Sequence, residues 1–302
     1  MDATPLKISD LQKSYGDFQV LRGLALEVLP HAVMGLVGLN GSGKTTTIEC
    51  LLGLQKFNGG DIQLLGHRPG QLHALKGDVV AIFDSASLHP NLTVGQCLQH
   101  AALLCPRQQR SVAEVEALLS IERFHSFRIR QLSLGNKRRA SIAQALLGAP
   151  RFIILDEPFN GLDAEGVDDV LALIGTLNRD EGTSFLLSSH QLPYLEQVCS
   201  HVAILNDGQI VRSGSIAELL DRESGSVTLI SEDPDGVQTA VSTMDGARLR
   251  SCQGNKLEIE LSSMDSARLN QQLVSAGIPV SELVVHRASL SGLFRELTGA
   301  ES

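Results

Sequence analysis

Short apolar runs alternate with segments of helical periodicity along most of the chain. Several of these runs are almost continuously apolar, which is typical of strands buried on both faces of a parallel sheet. They are residues 32–38, 151–155, 184–188 and 202–205. Helical periodicity follows the first two runs, at residues 46–54 and 164–178. The alternation predicts an α/β domain with a largely parallel sheet.

The pattern is different near the amino terminus. Residues 6–8, 18–21 and 25–28 have the character of short strands, and turn residues such as Gly16 and Asp17 separate them. They predict an antiparallel β layer beside the main sheet.

A mostly helical pattern interrupts the α/β alternation at residues 106–144. We expect it to form a helical subdomain within about residues 85–150. The α/β region, its antiparallel layer and this subdomain are predicted to form one domain over residues 1–222.

The character of the chain changes near Ser224, Gly225 and Ser226, which have the composition of a linker. Strand, helix, hairpin, helix, strand and helix are predicted after it, at residues 227–231, 235–244, around 253–255, 264–277, 281–286 and 289–297. This β-α-β-β-α-β order with a further helix is the ferredoxin-like pattern. A small α+β ferredoxin-like accessory domain is therefore predicted over residues 223–302.

Composition and charge narrow the classes of function. The chain has 302 residues and a formal net charge of −9. A duplex-binding protein would carry a long basic stripe, whereas the tight basic cluster here is confined to Lys137, Arg138 and Arg139, so nucleic acid is not an expected partner. The sequence contains neither an apolar run of about 18 residues nor the start of a signal peptide. We expect a cytoplasmic chain that would reach a membrane through a partner.

A glycine-rich segment, here called the phosphate loop, follows the first apolar run. It fits the pattern G-x-x-x-x-G-K-[ST] and consists of Gly38, Leu39, Asn40, Gly41, Ser42, Gly43, Lys44 and Thr45. Glycines let the backbone wrap around phosphates, and the helix that starts at Lys44 adds the positive end of its dipole. Lys44 is expected to reach the β- and γ-phosphates, Thr45 to bind Mg²⁺, and Thr46 to contact the nucleotide. The alternative is a glycine-rich turn that binds no ligand.

Two acids, Asp156 and Glu157, end the second apolar run. Phosphoryl transfer needs an anchor for a metal ion and a group that orients the attacking water. Asp156 suits the first role, and Glu157 suits the second, as a general base or as a residue that positions the water. Acids at strand ends also cap the next helix, which is the alternative, and the phosphate loop upstream favours the catalytic interpretation.

A third segment, here called the signature segment, covers residues 132–139. It begins Leu132, Ser133, Leu134, Gly135 and Asn136, and it resembles the L-S-G-G-Q signature of the ATP-binding cassette (ABC) family. Leu134 stands where that motif usually has its first glycine, and Asn136 stands where it usually has glutamine. The resemblance implies that Ser133 and Gly135 contact the γ-phosphate held by the opposite subunit, from the N-terminus of a helix.

Further motifs of the family follow by resemblance. Residues 160–163 resemble the D-loop, which implies that Asp163 signals across the dimer at the nucleotide. His190 matches the switch histidine that contacts the γ-phosphate and steadies the water, and Tyr15 matches the aromatic residue that stacks on adenine.

Asp84 takes the place of a usual glutamine. We expect Asp84 either to bind Mg²⁺ or to repel the γ-phosphate when no metal is present, and a solvated loop acid is the alternative.

The resemblance covers about residues 4–221 and implies a P-loop ABC cassette that binds ATP with Mg²⁺. Lys44, Glu157 and His190 would catalyse ATP hydrolysis. The implied partners are a second cassette, for which the intact motifs favour a homodimer over a heterodimer, and a separate membrane-spanning permease that holds the chain at the cytoplasmic face of the membrane. Residues 287–299 also resemble the end of the ATPase subunits of ABC-2-type exporters.

Two other functions remain as alternatives. A soluble ABC ATPase would act on a nucleoprotein partner, but DNA-repair types need long heptad insertions, which residues 46–131 lack, and translation-factor types carry two cassettes in one chain. An inactive nucleotide-regulated module would have lost a key lysine or glutamate, and both Lys44 and Glu157 are present.

Overall fold

The computed structural model describes residues 3–84, 88–221, 225–262, 264–286 and 289–299. The chain divides into two compact units, Met1–Ile216 and Ala217–Ser302. Each unit has a hydrophobic core of its own.

The first unit combines two sheets with a set of helices. Its strands are β1 (Leu6–Tyr15), β2 (Phe18–Val28), β3 (Val33–Val37), β4 (Gly59–Leu64), β5 (Val79–Ile82), β6 (Phe152–Asp156), β7 (Ser184–Ser189), β8 (His201–Asn206) and β9 (Gln209–Ser215). Its helices are α1 (Lys44–Leu51), α2 (Val94–Leu104), α3 (Val112–Leu118), α4 (Leu134–Leu146), α5 (Ala164–Glu181) and α6 (Leu192–Val198), and α7 (Ile216–Asp221) spans the division between the units. Short 3₁₀ turns occur at Pro69–Leu75, Glu122–Phe124 and Ile129–Gln131.

The larger sheet of the first unit is mixed and mostly parallel, as predicted. Its strand order is β5-β6-β7-β3-β8-β9, and β9 is antiparallel to β8 while the other neighbours are parallel. Strands β3, β6 and β7 are buried along their whole length. Continuous apolar runs are what such doubly covered strands require. The carboxyl ends of these three strands meet at one edge of the sheet, where the phosphate loop and the two acids follow.

The smaller sheet of the first unit is the predicted antiparallel layer, with the order β2-β1-β4. The prediction of three short strands near the amino terminus was wrong in detail, because β1 and β2 are two long strands, and β4 was missed. Register shifts interrupt the pairing of β1 with β2. Asp10 (φ 51°) and Gly23 (φ 86°) lie at these bulges, which bend the strands and break the alternation of polar and apolar residues without ending the pairing.

The chain between β5 and β6 contains three of the helices. Both α2 and α3 pack against α4, the helix that carries the signature segment. The first two helices begin with capping boxes, formed by Thr93 with Gln96 and by Ser111 with Glu114. All three helices lie within the residues for which the sequence predicts a helical subdomain.

The second unit consists of β10 (Gly225–Ile230), α8 (Pro234–Ser242), β11 (Ala247–Gln253), β12 (Lys256–Leu261), α9 (Ser266–Ser275), β13 (Glu282–His286) and α10 (Leu290–Thr298). Its antiparallel sheet has the order β11-β12-β10-β13. The predicted linker was wrong at Gly225 and Ser226, which pair with β12, while Ser224 lies outside the described residues. Small residues do not prevent a strand here, because the neighbouring strand supplies backbone partners.

Candidate nucleotide-binding site

The phosphate loop connects β3 to α1 and needs glycine at two positions for steric reasons. Gly43 has a φ of 109°, and a Cβ atom there would come within 2.7 Å of the Leu21 side chain. A Cβ atom at Gly38 would lie 2.4 Å from the Ser42 Oγ atom. The loop is therefore packed closely on its inner side, and α1 begins directly after it at Lys44.

Lys44 is held inside the loop with only 6% of its surface exposed. Its Nζ atom donates to the carbonyl oxygens of Gly38 at 2.8 Å and Leu39 at 3.3 Å. The same atom forms an ion pair with Glu157 Oε1 at 3.1 Å. A buried ammonium group needs such partners, so the loop and the carboxylate together keep a cation at this place.

Thr45, Asp156 and Ser188 form a connected group of oxygen atoms next to Lys44. The Thr45 hydroxyl donates to Asp156 Oδ2 at 3.1 Å, and the Ser188 hydroxyl donates to Asp156 Oδ1 at 2.5 Å. The group exists because β6 and β7 are parallel neighbours, which pairs Asp156 with Ser188. Oxygen ligands of this kind suit a hard cation. No group of three or more His, Cys, Asp or Glu residues within the described ranges is arranged to hold a metal ion.

Glu157 has an unusual backbone for a non-glycine residue, with a φ of 47°. Its N–H group donates to the Ser188 carbonyl at 3.0 Å and to the Ser188 hydroxyl at 3.1 Å. Its Oε2 atom lies 3.0 Å from His190 Nδ1. Residues in this left-handed region are strained and occur preferentially at functional sites, where their surroundings hold them in place. Lys44, Glu157 and His190 thus form one contact group.

The hydroxyl of Ser42 has no hydrogen-bond partner. Across the described residues, Ser42 Oγ and Gln272 Oε1 are the buried side-chain polar atoms in this state. A buried hydroxyl without a partner is costly, and it indicates an acceptor that the protein alone does not provide. An orphan donor inside the phosphate loop fits a ligand rich in oxygen acceptors, such as a polyphosphate.

Asp84 lies two residues after the end of the edge strand β5 and contacts Arg138 of α4. Arg138 Nη2 donates to Asp84 Oδ1 at 3.1 Å and to the Glu157 carbonyl at 3.3 Å, while Nη1 donates to the Phe83 carbonyl at 2.7 Å. Burial lowers the pKa of Arg138, and the negative charges of Asp84 and Asp156 oppose this effect. The metal role of Asp84 stays a prediction. The sequence reading missed Arg138, although its position in the basic cluster of the signature segment was a signal.

The signature segment and the D-loop contact each other, and Ser133 and Leu134 of the first and Gly161 and Asp163 of the second are exposed. Ser133 caps α4 by accepting from the Asn136 N–H at 3.3 Å, and Asp163 caps α5 by accepting from the Gly166 N–H at 2.9 Å. The Leu134 side chain lies so close to Gly161 that a Cβ atom there would be 2.2 Å from it. Within the described residues, no hydrogen bond or ion pair joins Ser133 or Asp163 to the group around Lys44.

Tyr15 lies at the end of β1 and is 46% exposed, with the Lys13 ammonium group 4.4 Å from the centre of its ring. Phe18 is its partner in the register of β1 and β2 and is 67% exposed. A cavity of about 200 Å³ is lined by Phe18 together with Val20 and the phosphate loop from Leu39 to Ser42. The sequence reading missed Phe18, and the pairing of a turn-flanking aromatic with Tyr15 could have indicated it.

Comparison with known proteins places this site in a family. The model of the ABC transporter family matches residues 21–160. A relative described as the uncharacterized ABC transporter ATP-binding protein YdbJ of Bacillus subtilis (strain 168) is 30% identical over 299 residues, which cover 98% of this chain and 96% of the relative. Nod factor export ATP-binding protein I of Cupriavidus metallidurans (strain ATCC 43123 / DSM 2839 / NBRC 102507 / CH34) is 34% identical and covers 73% of this chain and 74% of its own length.

A solved structure, described as that of an ATP-binding subunit of an ABC transporter, superposes with a TM-score of 0.66 at 28% identity and covers 72% of this chain and 92% of its own. The chain therefore has the P-loop ABC cassette fold and belongs to the ABC transporter family. Within that family it is an ATP-binding, ATP-hydrolysing subunit. The alternative of a nucleoprotein ATPase finds no support among these relatives. No helix of the described ranges is long and apolar enough to cross a membrane.

Proposed function

We propose that this chain drives export by hydrolysing Mg²⁺-ATP at two composite sites, each formed between two copies of the cassette. One observation carries the proposal, namely the contact group of Lys44, Glu157 and His190 beside the orphan hydroxyl of Ser42. A cation for phosphate oxygens, a carboxylate for the attacking water and an unsatisfied donor lie around one loop. This is the set of groups that phosphoryl transfer to water requires.

The phosphate loop and α1 would form the triphosphate-binding part of each site. Gly38, Gly41 and Gly43 leave room for the backbone N–H groups to face the phosphates, and Leu39, Asn40, Ser42 and Thr46 complete the cradle. Lys44 is already in place at 6% exposure, so binding exchanges its present acceptors for phosphate oxygens. Tyr15 would stack on the adenine ring from its exposed position at the end of β1.

Thr45 and Asp156 are the residues that fit a Mg²⁺ ion, because their oxygen atoms lie 3.1 Å apart beside Lys44. Two protein oxygens are enough for this ion, which usually keeps waters and substrate phosphates in its shell. The ion, when bound, would neutralise charge on the phosphate oxygens. Ser188 orients the Asp156 carboxylate through its hydroxyl.

Glu157 would act as the general base for the attacking water. His190 would steady this water and contact the γ-phosphate. Glu157 now pairs with both Lys44 and His190, at 3.1 and 3.0 Å. When the phosphates take over Lys44, the Oε1 atom is released toward the attacking water. This exchange links ATP binding to the preparation of the base.

Ser133, Gly135 and Asp163 would serve the nucleotide bound to the partner cassette. Ser133 caps α4 and Asp163 caps α5 at exposed positions, and Gly135 lies in the first turn of α4, whose N-terminus offers N–H groups to an anion. In a two-fold dimer each chain would then supply a phosphate loop to one site and a signature segment to the other. ATP closes this dimer, and hydrolysis with product release reopens it.

The membrane partner would be a separate permease that holds the chain at the cytoplasmic face of the membrane. Support comes from the relatives, one of which is named for export, and from the terminal helix α10, whose sequence resembles ABC-2-type exporter ATPases. We expect a multi-spanning protein to copurify with the tagged chain from membranes solubilised in mild detergent. Copurification of ribosomes or of soluble partners alone would argue for a different machine.

The cassette would extend over residues 1–222, and residues 223–302 would form a ferredoxin-like accessory domain that regulates or helps dimerisation. The antiparallel sheet with strand order β11-β12-β10-β13 and the helices α8 and α9 support this assignment. Deletion of the accessory domain should leave ATP binding by the folded cassette intact.

The test of the catalytic assignment is Glu157→Gln in the full-length chain. The amide keeps the shape of the side chain but cannot take a proton from water, so we expect kcat to fall about 100-fold or more while ATP binding persists. Turnover and equilibrium ATP binding are measured in parallel, with the exposed Glu122→Gln as the matched control. A Glu157→Gln variant that hydrolysed ATP at the wild-type rate would refute the role of this residue.

A further inference from the structure

Arg138 connects three elements of the first unit at the catalytic carboxylate. It lies on α4, and its guanidinium group donates to the Phe83 carbonyl, to the Asp84 carboxylate and to the Glu157 carbonyl. Phe83 and Asp84 follow β5, and Glu157 follows β6. One buried side chain therefore joins the signature helix to the ends of two parallel strands.

The peptide groups on both sides of the Glu157 Cα atom are held by hydrogen bonds. On the amino side, the Glu157 N–H donates to the hydroxyl and carbonyl of Ser188. On the carboxyl side, the Glu157 carbonyl accepts from the Arg138 guanidinium at 3.3 Å and from the Asn160 N–H at 3.2 Å. The residue has a φ of 47°, a conformation that persists only where surrounding groups maintain it. Arg138 is thus one of three residues, with Ser188 and Asn160, that hold the backbone from which the base projects, and it is the one that does so with a charged side chain.

Asp84 provides the negative charge that this arrangement needs. Arg138 is 5% exposed, and a guanidinium group buried to that extent is unfavourable without a counter-ion. The side chain of Asp84 is 54% exposed, so it reaches the guanidinium from the solvent side. A neutral glutamine at residue 84, as the family resemblance leads one to expect, would accept a hydrogen bond but would leave Arg138 without its ion-pair partner, with the Asp156 carboxylate as the remaining negative charge that acts on it.

We propose that Asp84 and Arg138 form a positioning pair that fixes the main chain of Glu157, and that Asp84 serves as the counter-ion of Arg138 rather than as a metal ligand. The proposal rests on the proposed role of Glu157 as the base. The acid in place of the usual glutamine thereby has a defined task. Movement of α4 relative to β5 and β6 would be transmitted to the base through the same guanidinium.

The test uses Asp84→Asn, Arg138→Met and the double variant in the full-length chain. A base displaced by a fraction of an ångström works poorly, so we expect both single variants to lower kcat by about 10- to 100-fold. The KM for ATP should stay within about threefold of wild type, because the phosphate loop is untouched. The matched control is the exposed ion pair of Arg179 and Asp180 on α5, changed to Met and Asn.

The double variant separates positioning from simple stability. Asp84→Asn leaves a buried charge unpaired and should lower the temperature of unfolding, whereas Asp84→Asn with Arg138→Met removes both charges and should recover it. We expect kcat of the double variant to remain as low as that of Arg138→Met, because the Glu157 carbonyl still lacks the guanidinium donor that ties it to α4 and keeps only the Asn160 N–H. Recovery of kcat together with stability would overturn the proposal, since the pair would then be only structural.

The dependence of kcat on Mg²⁺ concentration tests whether Asp84 is a counter-ion or a metal ligand. We expect the Mg²⁺ concentration for half-maximal rate to be unchanged in Asp84→Asn. If added Mg²⁺ restored the rate of this variant, Asp84 would be a metal ligand and the proposal would be wrong. Glu157→Gln in the same series distinguishes failure of the proposed base from failure of the proposed positioning pair. Wild-type turnover by Glu157→Gln would refute the proposed base itself, whereas wild-type turnover by Arg138→Met alone would refute only the pair.

Discussion

The two groups of motif residues in the first unit are packed in opposite ways. Lys44, Asp156 and Glu157 are each less than a tenth exposed, and they bind one another or near neighbours in the same chain. Ser133 and Asp163 are exposed, and their side-chain oxygens each cap a helix. The first group is complete as a set of interacting charges, whereas the second presents a helix end to the outside.

In the dimer that we propose, this difference would let a single chain carry two unlike halves of one site. Buried charges need partners from their own chain, because an unpaired charge would destabilise the fold of the free subunit. The N-terminus of α4, which the neutral Ser133 caps, has no such need and remains available to an anion from another chain, and the Asp163 carboxylate is exposed to solvent. In the proposed dimer, the contrast in burial would separate the residues that keep the nucleotide from those that complete the site in the partner.

The largest expected effect tests whether the two halves meet across a dimer. Lys44→Met should lower turnover about 100- to 1,000-fold, because the charge for the phosphates is lost. Ser133→Asp in a second, differently tagged copy should inactivate the site that this copy's signature segment forms with the phosphate loop of its partner. Mixed dimers of the two variants would keep one intact site, so we expect about half the wild-type rate per dimer after purification through both tags.

The control for this experiment is a dimer in which both differently tagged copies carry Lys44→Met, which should stay inactive. Mixed dimers that showed no more activity than this control would contradict the assignment of Ser133 to the partner's nucleotide.

A smaller effect separates the cap of α4 from its role toward the nucleotide. Aspartate is as good an N-cap as serine, so Ser133→Asp should keep the free energy of unfolding while its charge repels the partner's phosphates and lowers kcat/KM by about tenfold or more. Ser133→Ala should lose about 1 kcal/mol of folding free energy through the missing cap and should retain more turnover than Ser133→Asp. Denaturant unfolding and ATPase rates are measured for both variants. Equal turnover of the two variants would show that charge at this position is irrelevant.

The smallest effect concerns the base of the nucleotide. Loss of an aromatic ring that stacks on a base costs about 1–3 kcal/mol, so Tyr15→Ala should raise the KM for ATP about fivefold or more, and Tyr15→Phe should leave it unchanged. Phe18→Ala is the informative comparison, because Phe18 lines the cavity beside the phosphate loop. A rise in KM for Phe18→Ala without a rise for Tyr15→Ala would move the stacking role to Phe18.

Much of the fold could be predicted because local patterns determine many of its elements. The buried runs became β3, β6, β7 and β8, and the segments predicted after residue 226 became the strands and helices of the second unit with shifts of a few residues. Errors occurred where hydrogen bonding between strands determines the structure against the local sequence pattern. Bulges at Asp10 and Gly23 hid the length of β1 and β2, and Gly225 and Ser226 resembled a linker although β12 holds them in a sheet.

The candidate site was predictable where a motif is contiguous in sequence. The phosphate loop and the two acids are such motifs, and the sheet brings them together because β3, β6 and β7 end at the same edge. Arg138 and Ser188 contribute through contacts with Glu157 that are distant in sequence. Arg138 lies 19 positions before Glu157, and Ser188 lies 31 positions after it. A sequence alone does not show which of several arginines in a basic cluster turns inward, since that depends on the packing of α4 against β5 and β6.

The hydroxyl of Ser188 has one proton to give and lone pairs to offer, and both are in use. The proton goes to Asp156, while the oxygen accepts from the N–H of Glu157. The hydrogen bonds therefore run in one direction, from the backbone of the base residue through the hydroxyl to the carboxylate beside Thr45. Any change in how strongly Asp156 draws on that proton alters the polarity of the hydroxyl and so is felt at the adjoining amide. The two acids, adjacent in sequence but with different tasks, thus share an electronic connection in addition to their peptide bond.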